Sequence, residues 1–212
     1  MMPCVLVHGL GQNASSWNKI ISLMLEHNKL YCPELFDLPE CREVGYGGLF
    51  SAFTNYINAI PGRLNLCGIS LGAILSLNYA IEHPEKVQSM VLIAAQYRIP
   101  KLLLSLQNII FHLLPESFFT SKGQGKRQTI ELVDSMSTLD FSARLDSLTC
   151  SVLVVRGEKD TANKKASREL TKNLSKVEFQ IVAGVGHEIN TEAPEELASI
   201  LNIYLNGGGV DP

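Results

Sequence analysis

The segment Gly68-Ile69-Ser70-Leu71-Gly72 sets a serine where an apolar run, Leu64 to Cys67, gives way to helical spacing from Leu71 onward. A serine on a sharp strand-to-helix turn exposes its hydroxyl at the carboxyl edge of a sheet, and flanking glycines let backbone and helix approach closely. The same turn aims the Leu71 N–H, at a helix N-terminus, into the space above that hydroxyl. An ordinary Gly/Ser turn has the same letters, so the strand–turn–helix context gives the pattern its weight.

A serine hydroxyl needs a base to become a nucleophile. The chain has five histidines, His8, His27, His83, His112 and His187. His27 and His83 lie in or just after helical stretches beside polar residues, and His112 lies on the polar side of a helix candidate. His187 follows the last strand candidate in the turn Gly184-Val185-Gly186-His187, at the carboxyl edge where open α/β sheets carry their sites. The carboxylate that must orient such an imidazole is expected at Asp160, reached from the run Val152–Val155 through Arg156-Gly157-Glu158-Lys159. Glu158 is its local competitor, and Asp134, Asp140 and Asp146 are more distant ones. A second amide facing the serine is expected from Val7-His8-Gly9-Leu10-Gly11, which makes Leu10 N–H the partner of Leu71 N–H. His8, inside that tight turn, reads as a structural hydrogen-bonding residue.

These residues need elements that bring them to one edge. The runs Cys4–Val7, Leu64–Cys67, Val87–Ala94 and Val152–Val155 are continuous, as in strands covered on both faces. Val177–Val182 alternates more, and Pro33 confines Leu30–Leu35 to a strand end or an edge. Helical spacing recurs between them. Trp17, Ile20 and Met24 follow Ser15 or Ser16 as N-cap, and Leu49, Phe53, Ile57 and Ile60 run up to Pro61-Gly62. Leu71 to Glu82 stops before Pro84, Ala166, Leu170 and Leu174 form another stripe, and a last helix starts near Pro194 behind Glu192. The alternation predicts an α/β fold, a mostly parallel sheet of about six strands with helices on both faces and a short helical cap insertion. Residues 1–97 and 138–206 are read as one core, 98–137 as the insertion and 207–212 as a tail.

On these motifs the sequence resembles the α/β-hydrolase family: HGLG at 8–11 with Trp17 following, GISLG at 68–72, RGEKD at 156–160 and GVGH at 184–187, in the family's order over essentially the whole chain. The resemblance implies a catalytic Ser70, His187 and Asp160, with the Leu10 and Leu71 amides as oxyanion hole. It implies a serine hydrolase that cleaves a small carboxylic ester, or a thioester, through an acyl-enzyme, with no metal or organic cofactor. Serine at 70 speaks against the family's dehalogenase and epoxide hydrolase branches, which place aspartate there. Lyase or perhydrolase chemistry with the same triad, and a ligand-binding or signalling protein on the same fold, are the alternatives. Three departures stand out: the chain begins at the family's third strand, FDLPECR replaces the usual glycine-rich turn after Leu35, and the cap is short.

Composition narrows the partners. Hydrophobic residues at 46% supply a large core and argue against disorder. Eighteen basic and 21 acidic residues give a net charge of −3 with no long basic run, which argues against nucleic acid. Five cysteines without metal-ligand spacing fit reduced thiols. Together with the absence of any signal-like N-terminus or stretch long enough to span a membrane, they suggest a cytoplasmic protein acting on a small-molecule ester.

In the insertion, Lys101, Ser105, Asn108 and His112 share one narrow helical face, and Leu103, Leu106, Ile109, Ile110 and Phe111 fill the rest. So wide an apolar arc packs on the sheet edge, or it roofs the Ser70 pocket with Ile109 and Ile110 above Trp17 or Leu10. Under the roof reading, Ile109→Ser and Ile110→Ser lower kcat/KM for butyrate or hexanoate esters more than for acetate, by about 1–3 kcal/mol per methylene-sized contact. An ester chain-length series measures this. A flat preference with a lowered melting temperature assigns the helix to the core.

Overall fold

Strands that are apolar on both faces must be covered on both faces, and the sheet follows that requirement. The structure is a computed structural model that describes residues 2–25, 29–39, 45–99, 115–116 and 125–207. Its strands are β1 (Pro3–Val7), β2 (Lys29–Tyr31), β3 (Leu64–Ile69), β4 (Val87–Ile93), β5 (Ser151–Gly157) and β6 (Val177–Val182). They form one sheet in the order β2-β1-β3-β4-β5-β6, and every neighbouring pair is parallel. The central strand β3 is buried throughout, whereas the edge strands β2 and β6 are partly exposed, in keeping with Pro33 after the first and the alternating residues of the second.

The helices are α1 (Asn18–Leu23), α2 (Tyr46–Asn58), α3 (Leu71–Glu82), α4 (Lys126–Ser135), α5 (Lys164–Asn173), α6 (Ile189–Glu192) and α7 (Pro194–Gly207). Alternate strand residues feed two cores. Val5, Leu66, Leu92 and Val154 meet Phe53 of α2 and Leu75 of α3 on one face. Leu6, Cys67, Val91 and Val155 meet Ile20 of α1 and Leu201 of α7 on the other. Residues 71 to 81 of α3 are all buried, so this helix has no polar face to expose.

Two expectations need correction. Neither Ser15 nor Ser16 caps the first helix: Asn13 accepts the Ser15 N–H at 3.0 Å, and a 3-10 turn, Ala14–Trp17, precedes α1. Trp17, expected against substrate, is 0% exposed and packs in the core with Ile20 and Met24. An aromatic ring that size contributes most by full burial. The short α6 was not anticipated, since one helical turn leaves no periodicity to read.

The neck of the insertion is closed by backbone pairing. Arg98 and Asp140 form an antiparallel bridge, Ile99 N–H donates to Leu139 O at 3.1 Å and Phe141 N–H to Tyr97 O at 2.9 Å. The expected helix Pro100 to Leu114, with Ile109 and Ile110, lies outside the described residues. Among the described residues no helix is long and apolar enough to cross a membrane.

The start of α3 is pressed against the end of β1, where a β-carbon on Gly72 would overlap the Val7 carbonyl oxygen. Gly72→Ala is therefore expected to destabilise the protein by about 1–3 kcal/mol, as overpacking against backbone does. Urea unfolding should show a lower midpoint with an unchanged slope. An unchanged midpoint would mean that helix and strand are not in this contact.

Candidate active site

Ser70 links β3 to α3 with no residue to spare. Its backbone sits at φ 54° and ψ −114°, in the region L-residues avoid. The conformation is held from both sides: Ser70 N–H donates to Ile93 O of β4 at 2.9 Å, and Ser70 O accepts the Ile74 N–H at 3.1 Å. The side chain is half-buried. Leu71 is the first residue of α3, so its N–H is among those with no partner inside the helix. The loop after β1 lies against the serine, since a β-carbon on Gly9 would stand 3.4 Å from Ser70 Cβ. Within that loop Gly9 N–H is taken by Gln12 Oε1 at 3.3 Å and Gln12 N–H by Gly9 O at 3.2 Å. No hydrogen bond among the described residues uses the Leu10 N–H.

Two further loops meet beside this turn. Asp160 follows β5 and His187 follows β6, and His187 Nδ1 lies 3.1 Å from Asp160 Oδ2. The loops touch because position 157 is glycine, where any β-carbon would overlap the Gly186 carbonyl oxygen. The Asp160 side chain is 3% exposed and that of His187 44%, so the carboxylate is shielded while the ring reaches solvent. Burial pushes the Asp160 carboxyl up, but hydrogen bonds from His187 and Asn163 outweigh it and hold the group below the usual carboxylate value. Among the described residues the His187 ring is hydrogen-bonded to Asp160 and Asn163 and not to Ser70. Such contacts are often long before substrate binds.

The rival residues have other tasks. Glu158 accepts the Gly184 N–H at 2.8 Å, and Asp140 accepts from Ser142. His8 is fully buried; its Nδ1 meets Gly9 O at 2.9 Å, its Nε2 accepts the Leu35 N–H at 3.2 Å, and Glu34 lies 3.1 Å from the same Nε2. Burial lowers its basicity, and the Gly9 carbonyl and Glu34 only partly oppose that. With both nitrogens engaged, His8 is a brace for its turn.

Several polar residues of the site gave no signal in the sequence. Arg156 folds back so that one guanidinium nitrogen meets the carbonyl oxygens of Gly157 at 2.6 Å and of Glu158 and Asp160 at 3.1 Å. Glu192 accepts the N–H groups of Gly186 and Glu188 at 2.7 and 3.1 Å and so shapes the turn that carries His187. Gln12 and Asn190 exchange two hydrogen bonds of 3.1 Å, joining the Gly9–Gln12 turn to α6. Among the described residues no three His, Cys, Asp or Glu side chains are grouped as a metal would need.

Residues 4–200 match the family described as "Alpha/beta hydrolase family". The chain belongs to that family. Among curated proteins, a pimeloyl-[acyl-carrier protein] methyl ester esterase of Citrobacter koseri is 35% identical over 94 residues, 43% of this chain and 36% of that protein. The match thus spans little more than a third of the length of the curated relatives. Among solved structures, an esterase from Exiguobacterium antarcticum superposes with a TM-score of 0.83 at 15% identity, over 97% of this chain and 92% of that one. An enol-lactonase from Burkholderia xenovorans LB400 gives 0.80 at 16% identity, over 96% and 91%. At these identities the likeness establishes a shared α/β-hydrolase fold.

The lowered Asp160 carboxyl gives this α/β-hydrolase a pH signature. A carboxylate more acidic in the folded than in the unfolded state contributes stability at neutral pH, and that contribution is lost as pH falls below about 4. Denaturant unfolding of wild type and Asp160→Asn should show a stability difference that shrinks on acidification. A difference constant from neutral pH to pH about 3 would mean that Asp160 is not held in its charged form.

Proposed function

We propose that the protein is a serine hydrolase that cleaves a small carboxylic ester through an acyl-enzyme. In this reading Ser70 Oγ attacks the carbonyl carbon and His187 accepts the hydroxyl proton. Asp160 orients the imidazole and stabilises its cation, and the Leu10 and Leu71 N–H groups receive the developing oxyanion. Collapse of the tetrahedral intermediate expels the alcohol with the proton held on His187. Water then attacks the acyl group by the same route and frees the acid.

The observation that carries this reading is the convergence at one sheet edge. A strained serine, an amide-bearing turn in contact with it, and an imidazole against a buried carboxylate all lie at the carboxyl ends of parallel strands. The curated relatives described as methyl ester esterases, and solved neighbours described as an esterase and an enol-lactonase, are consistent with an ester bond as substrate. The acyl group and the alcohol stay open, and a thioester belongs to the same chemistry.

The reading is tested with a fluorophosphonate probe and p-nitrophenyl butyrate. Wild type is expected to label and to turn over, and Ser70→Ala to lose both, with kcat down on the order of 10⁶-fold as for removal of such a nucleophile. Asp160→Asn should keep the fold and lose up to about 10⁴-fold in kcat, because the imidazole is left in the wrong tautomer, whereas Glu158→Gln is nearly silent. Ester hydrolysis undiminished in Ser70→Ala would refute the mechanism. A folded wild type that binds esters without labelling would instead favour a ligand-binding role on this fold.

A further inference from the structure

One residue grips both oxygens of the Asp160 carboxylate. Asn163 N–H donates to Asp160 Oδ1 at 3.2 Å, and its Nδ2 donates to Oδ2 at 2.7 Å. The carboxamide oxygen in turn accepts from Gln96 Nε2 at 2.7 Å, and Gln96 also donates to Ala162 O at 3.3 Å. Asn163 is 4% exposed, so none of these bonds competes freely with water. It stands immediately before α5, where an asparagine ordinarily turns its side chain onto the helix's own N–H groups. Here it makes no such cap and faces the carboxylate instead.

The surroundings leave the carboxamide one orientation. Turned over, it would set its oxygen against the anionic Oδ2 and its N–H₂ against the Gln96 donor, two repulsive contacts at once. With Nδ2 toward Asp160, the atoms Asn163 Nδ2, Asp160 Oδ2 and His187 Nδ1 form a triangle with sides of 2.7, 3.1 and 3.1 Å. The two N–H bonds of a planar carboxamide diverge widely, while the corners of a near-equilateral triangle do not. With one hydrogen on Oδ2, the other cannot also reach Nδ1. An imidazole with a bare Nδ1 would then face a carboxylate oxygen without a proton between them. With the proton on Nδ1, Oδ2 uses its two lone pairs to accept from both His187 and Asn163.

We propose that Asn163, oriented by Gln96, is a positioning residue that clamps the Asp160 carboxylate and so keeps His187 in the tautomer with its proton on Nδ1 and Nε2 bare to act as base. The proposal rests on the serine-hydrolase reading above. Asn163 touches neither substrate nor the reacting atoms, and its effect is exerted through Asp160.

The test uses Asn163→Leu, similar in volume but without donor or acceptor, and Gln96→Leu, which removes only the group that orients the carboxamide. Each is measured for kcat and KM on p-nitrophenyl butyrate, for melting temperature, and for the low-field proton resonance of His187 Nδ1–H. Asn163→Leu is expected to lower kcat by about 10–100-fold, as loss of alignment does, and to shift or abolish the resonance. KM should move by no more than about twofold, because substrate binding is untouched. Gln96→Leu should act in the same sense by about 3–10-fold, and it carries the test alone if Asn163→Leu does not fold. Wild-type kcat and an unmoved resonance in either folded variant overturn the positioning role, provided Ser70→Ala and Asp160→Asn are inactive. If Ser70→Ala is as active as wild type, the hydrolase reading fails and this role falls with it.

Discussion

Ser70 is held in a backbone conformation that costs an L-residue about 1–3 kcal/mol, so it persists only where its surroundings leave no alternative. Those surroundings are the sheet itself. β3 is paired on both sides, by β1 and β4, and cannot end its ladder early. α3 begins at the very next residue and lies against the end of β1 because Gly72 has no side chain. Strand and helix therefore leave one residue for the change of direction, and a left-handed serine is the result. Ala94, at the end of the neighbouring strand, repeats the feature with φ 49°. Ser70 N–H bonds Ile93 O of β4, and Ala94 N–H bonds Val155 O of β5, so each strand's exit is fixed by the next strand.

A rigid turn positions only one reacting group. The others come from loops, whose backbone polar groups must find partners where they leave the sheet. Side chains from distant parts of the chain supply them. Arg156 occupies three carbonyl oxygens of the Asp160 loop, Glu192 two N–H groups around His187, and Gln12 with Asn190 ties the turn after β1 to the helix after His187. These contacts take up amides and carbonyls that would otherwise need water, and the only groups left facing the serine are the ones an oxyanion needs.

What could be read from the sequence was what burial and backbone geometry impose. β1, β3, β4 and β5 were legible as continuous apolar runs because both their faces are covered, and α3 was legible to its ends. The positions of Ser70, Asp160 and His187 were legible because each stands just past a strand. β2 was weak, being three residues at an edge. Asn163, Gln12 and Asn190 were not legible at all, since an amide's role depends on which loops converge and carries no period in sequence. Trp17 was misjudged for a related reason: its place after HGLG suggested contact with substrate, whereas the turn Ala14–Trp17 rotates it into the core beneath α7.

The same convergence links the acid to the insertion. The segment leaving β4 runs directly into the neck, where Tyr97, Arg98 and Ile99 pair with residues 139–141. That segment is also bound along α5: Gln96 holds Asn163 at its start, and the Tyr97 hydroxyl donates to Glu169 near its middle at 2.7 Å. Both ends of the excursion are thereby referenced to the helix that begins beside Asp160. Residues 98–137 can change in length and composition without disturbing the acid, because their neck rests on contacts made by backbone and by three side chains outside them. The division follows from the bonding. The sheet edge fixes the chemistry that serine, carboxylate and imidazole can perform, and the excursion is free to decide what reaches them.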